Sequence, residues 1–327
     1  MRCCLKEKQN GGICMKDIVS VGEVLIDLTQ KGVDAGGVPQ YAANPGGAPA
    51  NLAVAAARLG ADVAFIGKVG RDSFGDYLRQ VLADNRVDVS YMAVDPRQHT
   101  TLAVVSVDSS GERSFSFYRE PSADVNLMPE EIPEEVLKDT RFLHFGSVSL
   151  TADPARSATI YAARTAKALG ATVSYDPNYR ANLWSNQALA VERMKEPLPL
   201  VDILKVSDEE LPLLSGTEDL EEGTLRLKEY GIRLILVTLG AKGAYYRLGN
   251  ETGTVPGVRC QVADTNGAGD TFFGAVLGQL SRQGGLKGLT ADRLEAIVAL
   301  ANKAASLTTS RPGAIPAMPT ARELGIE

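Results

Sequence analysis

The residues best suited to chemistry are the seven from Asp264 to Asp270, Asp-Thr-Asn-Gly-Ala-Gly-Asp, which run directly into the apolar stretch Thr271-Phe272-Phe273-Gly274-Ala275-Val276-Leu277. Gly267, Ala268 and Gly269 carry little or no side chain, so their backbone N–H groups can meet a ligand closely. The apolar residues that follow predict a helix beginning here. A helix start offers unpaired N–H groups and the positive end of a dipole, which together suit a phosphate or an oxyanion. Asp270, in the first turn, has two readings. As a cap it satisfies N–H groups of its own helix. As a base beside an anion cradle it takes the proton of an attacking hydroxyl, a step phosphoryl transfer needs.

Further candidates stand at the ends of apolar runs. Asp27 closes the run Ile18–Asp27, and ligands of open α/β sheets collect beyond the carboxyl ends of strands, so Asp27 is either a hydroxyl acceptor or a turn residue. Gly46 and Gly47 let a ligand approach the backbone, and Asn51 offers both a donor and an acceptor to a polyol. Asp176-Pro177-Asn178-Tyr179-Arg180 joins a carboxylate to a cation suited to phosphate or sugar hydroxyls, or forms a salt-linked turn. Lys205-Val206-Ser207-Asp208-Glu209-Glu210 sets carboxylates where they can organise magnesium through water or simply open a helix. The string Thr238-Leu239-Gly240-Ala241-Lys242-Gly243 suits a nucleotide phosphate or an ordinary turn. Other signatures fail. Gly60 to Lys68 has the wrong spacing for a P-loop and Val69 stands where Ser or Thr is needed, while no Gly-x-Gly-x-x-Gly turn follows the first run. His99 and His144, the two histidines, fit no metal spacing or hydrolytic triad and read as structural.

The elements that must position these groups follow a strand–helix rhythm. Apolar β-branched runs at 18–27, 63–70, 142–146, 172–176, 201–206 and 234–238 predict a parallel sheet buried on both faces, with helical patterns at 52–60, 154–169 and 220–230. Residues 100–120 depart from it, reading as a hairpin whose turn lies at Asp108–Arg113. The chain has 327 residues, 44% of them hydrophobic, and a formal charge of −6. That length suits one large α/β unit, and the acidic balance argues against a general nucleic-acid binder. Cysteines 3, 4, 14 and 260 lack the spacing of a zinc site or a disulfide framework, which suggests a reducing compartment. Residues 1–16 contain no apolar run of signal-peptide length and read as a loose extension, with Met15 a candidate start.

Gly46-Gly47-Ala48-Pro49-Ala50-Asn51 through Gly67-Lys68-Val69-Gly70-Arg71-Asp72-Ser73-Phe74-Gly75, taken with Asp264–Asp270, resembles the two signatures of the ribokinase/PfkB family of sugar kinases. Within it, Gly22–Asp27, Phe117–Asp124 and Asp176–Trp184 are similar to the fructokinase subgroup. The resemblance implies a three-layer α/β core (17–30, 46–97, 122–327) with a mostly parallel sheet and a small β lid (31–45, 98–121). It implies ATP-dependent phosphorylation of the 6-hydroxyl of fructose, with 2-keto-3-deoxygluconate or ribose as other sugars. A sugar-binding sensor without catalysis is the reading from another class. Asp270 is then the base and Gly267, Ala268 and Gly269 the anion hole. Asp27, Gly46, Gly47, Asn51, Arg119, Asp176 and Arg180 fall at the sugar or the travelling phosphate, and Lys205, Thr238, Gly240, Gly243 and Asn302 at the nucleotide. Glu210 is expected to touch Mg2+ through water, although Ser207 stands where relatives often carry Asn, and Asp264 is expected near a K+ ion. No nucleic-acid or membrane partner is expected; a cytoplasmic homodimer joined through the lid is.

Overall fold

A computed structural model describes residues 15–107 and 113–326. Cysteines 3, 4 and 14, the extension up to residue 14 and the hairpin turn at 108–112 lie outside the described residues.

The strands are β1 (Lys16–Val21), β2 (Leu25–Val33), β3 (Pro39–Gly46), β4 (Val63–Ile66), β5 (Lys68–Gly70), β6 (Val87–Asp88), β7 (Ala93–Asp95), β8 (Leu102–Val107), β9 (Arg113–Tyr118), β10 (Thr140–Gly146), β11 (Thr172–Asp176), β12 (Ile203–Ser207), β13 (Leu234–Thr238), β14 (Gly243–Leu248) and β15 (Glu251–Pro256). The helices are α1 (Ala48–Arg58), α2 (Ser73–Asp84), α3 (Glu134–Lys138), α4 (Ala155–Ala168), α5 (Gln187–Lys195), α6 (Leu211–Ser215), α7 (Leu220–Lys228), α8 (Ala268–Arg282), α9 (Ala291–Thr309) and α10 (Ala321–Leu324). Among the described residues none of them is long and apolar enough to cross a membrane.

The main sheet has the order β15-β14-β13-β12-β11-β10-β1-β4-β6, parallel from β13 to β6. Successive side chains of a strand point to opposite faces, so each of its apolar runs feeds two cores. Ile18, Phe65 and Leu234 join the core shared with α1, α2, α8 and α9, while their neighbours Val19, Ile66 and Ile235 join the one shared with α3 to α7. The result is the expected α/β sandwich of three layers, with a separate four-stranded sheet of order β3-β2-β8-β9. The expected 100–120 hairpin is present in that sheet, Leu102 pairing with Tyr118 and Val107 with Arg113.

Two apolar runs divide differently from expectation. The run 18–27 is not one strand: β1 stops at Val21, and the chain re-enters as β2 at Leu25, in the smaller sheet. Asp27 therefore stands on the smaller sheet, which starts at Leu25 and whose β3 extends to Gly46, wider than 31–45. The break falls at Gly22, at φ 150, where a Cβ would lie 2.7 Å from Pro49. The run 63–70 likewise splits at Gly67, leaving β5 to pair with β7. The antiparallel pair β14–β15 was not foreseen, although the two-residue link Gly249-Asn250 is a hairpin signal.

Helix contact brings the site together. At Gly274 in α8 a Cβ would meet the Leu52 carbonyl at 2.8 Å and the Ala55 Cβ at 2.9 Å. Small residues on both sides thus let α1 and α8 cross closely, so Asn51 at the start of α1 reaches Asp270 at the start of α8.

Candidate active site

Gly267, at φ 73, turns the chain into α8, which begins without a side-chain cap. The cap reading of Asp270 is therefore corrected. Its carboxylate instead accepts from Asn51 Nδ2 at 2.8 Å and from Asn178 Nδ2 at 3.1 Å. Hydrogen bonds to a charged group contribute about 1.5–3 kcal/mol each, enough to fix the direction of a buried carboxylate. Burial raises the pKa of Asp270, opposed by the Asn51 bond and by the charges of Lys205 and Arg180. It is a stronger base than a solvated aspartate.

Two cavities meet at this helix start. The first, of about 420 Å³, is lined by Asp27, Gly47, Asn51, Arg180, Gly267 and Asp270 among others. Burial pushes Asp27 up to about 6 against the charge of Arg180, and Asp264 adds to the rise. Gly46 lies beside this carboxylate, and a Cβ there would collide with Asp27 Oδ2. Glu23, which sequence reasoning missed as a site residue, also lines this cavity: its Oε1 accepts from the Ala48 N–H at 3.1 Å, its Oε2 is buried without a partner among the described residues, and burial pushes its pKa up to about 7. Asn178 was missed as well. A polar residue beside Arg180 in Asp-Pro-Asn-Tyr-Arg carried the signal, but only tertiary contact aims it at Asp270.

The second cavity, of about 470 Å³, lies across the helix start and is lined by Thr238, Gly240, Gly243, Ala268, Gly269 and Asn302 among others. Asn302 Nδ2 donates to the carbonyls of Val255 and Pro256, at 3.2 and 3.0 Å. Thr265 lines both cavities, so the segment leading into α8 is their common wall.

Other candidate residues fall behind this wall. Lys205 Nζ pairs with Asp176 Oδ2 at 2.9 Å, both side chains buried. Burial opposes the Lys205 charge, but Asp176 and Glu210 outweigh it and raise its pKa, so the ammonium stays charged. It sits 3.0 Å from where a Cβ on Gly269 would stand, directly beneath the cradle. Glu210 accepts from the N–H groups of Tyr179 at 2.7 Å and Ser207 at 2.8 Å, which occupies both oxygens. Asp264 braces two loops, accepting from Asn266 N–H at 3.0 Å and Gly313 N–H at 3.1 Å. Arg119 lines neither cavity; it donates to Asp124, Thr151 and the carbonyl of Val148, a residue in the wall of the first cavity, and its charge opposes the rise at Glu23. Among the described residues no group of three or more His, Cys, Asp or Glu side chains is placed to hold a metal ion. His144 is buried against Ser174 and Phe273, and burial drives its pKa down to about 3, so it stays neutral.

Comparison with known proteins agrees with this geometry. The family described as pfkB family carbohydrate kinase matches residues 15–321. A probable fructokinase of Arabidopsis thaliana is 42% identical over 94% of this chain and 95% of the relative. Among solved structures, a fructokinase with bound ATP from Xylella fastidiosa superposes with a TM-score of 0.89 at 34% identity, covering 95% of this chain and 97% of the other. A fructokinase from Vibrio cholerae O395, in a form with fructose, ADP and calcium bound, gives 0.85 at 38% identity over 95% and 98%. With the helix-start cradle, the buried carboxylate and the two adjoining cavities, these matches establish that the chain belongs to the pfkB family of carbohydrate kinases, phosphotransferases that act on a hydroxyl acceptor.

Proposed function

We propose that the protein transfers the γ-phosphoryl group of ATP to the 6-hydroxyl of D-fructose. The observation that carries this reading is the carboxylate of Asp270, which lines the first cavity, is held there by Asn51 and Asn178, and directly follows Gly269 in the wall of the second. Fructose occupies the cavity lined by Asp27, Asn51 and Glu23, and the nucleotide the one lined by Thr238, Gly240 and Asn302. Asp270 takes the proton of the 6-hydroxyl as its oxygen bonds to the γ-phosphorus, and the bond from that phosphorus to the bridging oxygen breaks to release ADP. The N–H groups of Gly267, Ala268 and Gly269, with the Lys205 charge beneath them, stabilise the phosphoryl oxygens during transfer. Closure of the smaller sheet excludes water that would otherwise accept the phosphoryl group.

Among the described residues there is no preformed cage for the magnesium that such a reaction uses. Magnesium takes only one or two carboxylates where phosphates and water complete its shell, and when bound it offsets phosphate charge. The monovalent cation expected near Asp264 meets a carboxylate already engaged by two N–H groups.

Charge favours a neutral sugar. Glu23, Asp27 and Asp270 line the sugar-side cavity against Arg180, a balance that disfavours the carboxylate of 2-keto-3-deoxygluconate. The deciding experiment is coupled ADP release with fructose, 2-keto-3-deoxygluconate, ribose and glucose, each with the parent and with Asp270→Ala. Turnover on fructose that vanishes in the variant is expected; preference for the acid sugar, or sugar binding without turnover, overturns the reading. The proposed setting is the cytoplasm, where an exposed thiol such as Cys260 stays reduced. We also propose a homodimer through the smaller sheet, which exposes Val33, Val38, Tyr41 and Tyr118. A monomeric mass in solution scattering would refute it.

A further inference from the structure

A third cavity, of about 590 Å³, shares no lining residue with the two above, and Arg58, Arg86, Arg311 and Arg322 all contribute to its wall. Asp84 and Glu323 are the carboxylates beside them. Positive charge thus collects in one concavity of a chain whose net charge is −6.

Two of the arginines are fixed by the fold. Arg58 donates from Nε to Asn85 Oδ1 at 2.7 Å and from a terminal nitrogen to the Met318 carbonyl at 2.6 Å. Arg311 pairs with Glu323 at 2.5 Å. The guanidinium groups of Arg86 and Arg322 have no hydrogen-bond or ion-pair partner among the described residues. Burial lowers the pKa of Arg58, Glu323 counters this, and Arg311 lowers it further. The wall sets four arginines against the two carboxylates of Asp84 and Glu323, so positive groups outnumber negative ones.

We propose that this cavity is a second ligand site, for a small molecule bearing a phosphoryl group, and that its occupancy is felt at the sugar-side cavity. A guanidinium matches a phosphate with two parallel hydrogen bonds, and four converging arginines supply more donors than a carboxylate can absorb. The volume falls in the range of small-molecule sites.

Two physical routes join this cavity to the sugar side. Arg58 ends α1, and Asn51, the donor to Asp270, begins it about 10 Å away at 1.5 Å per residue. Met318, whose carbonyl Arg58 holds, belongs to the segment whose Ala314 lines the sugar-side cavity and would lie 2.9 Å from a Cβ on Gly267. A ligand that draws Arg58 toward itself acts on both.

The test is titration calorimetry of the intact protein with inorganic phosphate and with fructose 6-phosphate, comparing the parent with the double variant Arg86→Ala/Arg322→Ala. Neither residue holds another part of the fold, so melting temperature serves as the control; Arg322→Glu alone is the second variant. The parent is expected to show a binding event that the double variant weakens at least tenfold and that Arg322→Glu weakens further than loss of one hydrogen-bonding group. Fructose 6-phosphate, as product, also binds at the sugar-side cavity in parent and variants alike, so only the binding event lost in the double variant is compared: equal affinities there identify the phosphoryl group as sufficient, and tighter fructose 6-phosphate identifies a phosphosugar. Identical titrations in parent and variants overturn the site. A change in fructose affinity on adding phosphate, present in the parent and lost in the double variant, is expected for the coupling; its absence overturns the coupling. Binding is read without turnover, so these outcomes are distinguishable from failure of the kinase reading.

Discussion

The two cavities flanking the start of α8 are built differently. The sugar-side cavity is walled by side chains that act through charge and hydrogen bonds, Glu23, Asp27, Asn51, Asn178, Arg180 and Asp270, drawn from the link between β1 and β2, the smaller sheet, α1, the loop after β11 and α8. The cavity across the helix is walled by glycines, small residues and apolar groups such as Val258, Val262 and Phe272. One wall can discriminate the positions of individual hydroxyl groups. The other selects by shape and backbone N–H groups, which suits a ligand with a flat ring and a phosphate tail. Mutations should separate the two sides wherever they touch a side chain and fail to separate them at the shared cradle.

The largest separation is expected at Asp270. Asp270→Ala should lower kcat about a thousandfold, as loss of a general base does, while ADP affinity measured by calorimetry stays within about twofold of the parent. An equal loss of ADP affinity would break the division between the two walls. Gly267→Ala should not separate them. A left-handed backbone costs a residue with a Cβ about 1–2 kcal/mol, and that Cβ would lie 2.9 Å from Ala314. Loss of cradle geometry predicts about a hundredfold lower kcat, with both KM values raised in the same steady-state assay.

Glu23→Gln sharpens the sugar side. Burial pushes this carboxyl from 4.5 to about 7, so the folded state binds its proton more tightly than the unfolded state. Its contribution to stability is fully present below about pH 4.5 and is lost as pH rises through 7. The glutamine variant should match the parent near pH 4 and exceed it at pH 8, by at most about 3 kcal/mol, in denaturant melts. Its KM for fructose should rise about tenfold through loss of an acceptor, with KM for ATP unchanged. A variant less stable than the parent at pH 8 would remove the argument that this carboxyl is strained by burial. The smallest effect is expected at Asn302, which holds the Val255 and Pro256 carbonyls behind the other cavity. Asn302→Ala should raise KM for ATP about fivefold and leave KM for fructose unchanged.

Legibility in the sequence follows the same contrast. The cradle and Thr238-Leu239-Gly240 were readable because backbone conformation is set over a few residues: glycines before an apolar run specify a helix start wherever they occur. Asp27, expected as a hydroxyl acceptor at the end of the first strand, lines the sugar-side cavity from a different element, since β1 and β2 share one apolar character and only Gly22 parts them. Arg119 was expected at the sugar and is turned into bonds with Asp124 and Thr151. Asp124 lies five residues on, within the Phe117–Asp124 motif, but Thr151 and the Val148 carbonyl, 32 and 29 residues away, are brought to Arg119 only by the fold.

The sequence by itself determined the layered α/β class, the helix-start anion cradle and the carboxylate beside it, because dihedral preference and alternating burial act locally along the chain. Only the tertiary structure decided which groups hold Asp270. Its partners Asn51 and Asn178 stand 219 and 92 residues away. Tertiary packing also set Lys205 beneath Gly269, and it gathered four arginines into one concavity. Burial and electrostatic fields sum over every neighbour in space, and those neighbours are assigned by helix and sheet packing rather than by adjacency in the chain.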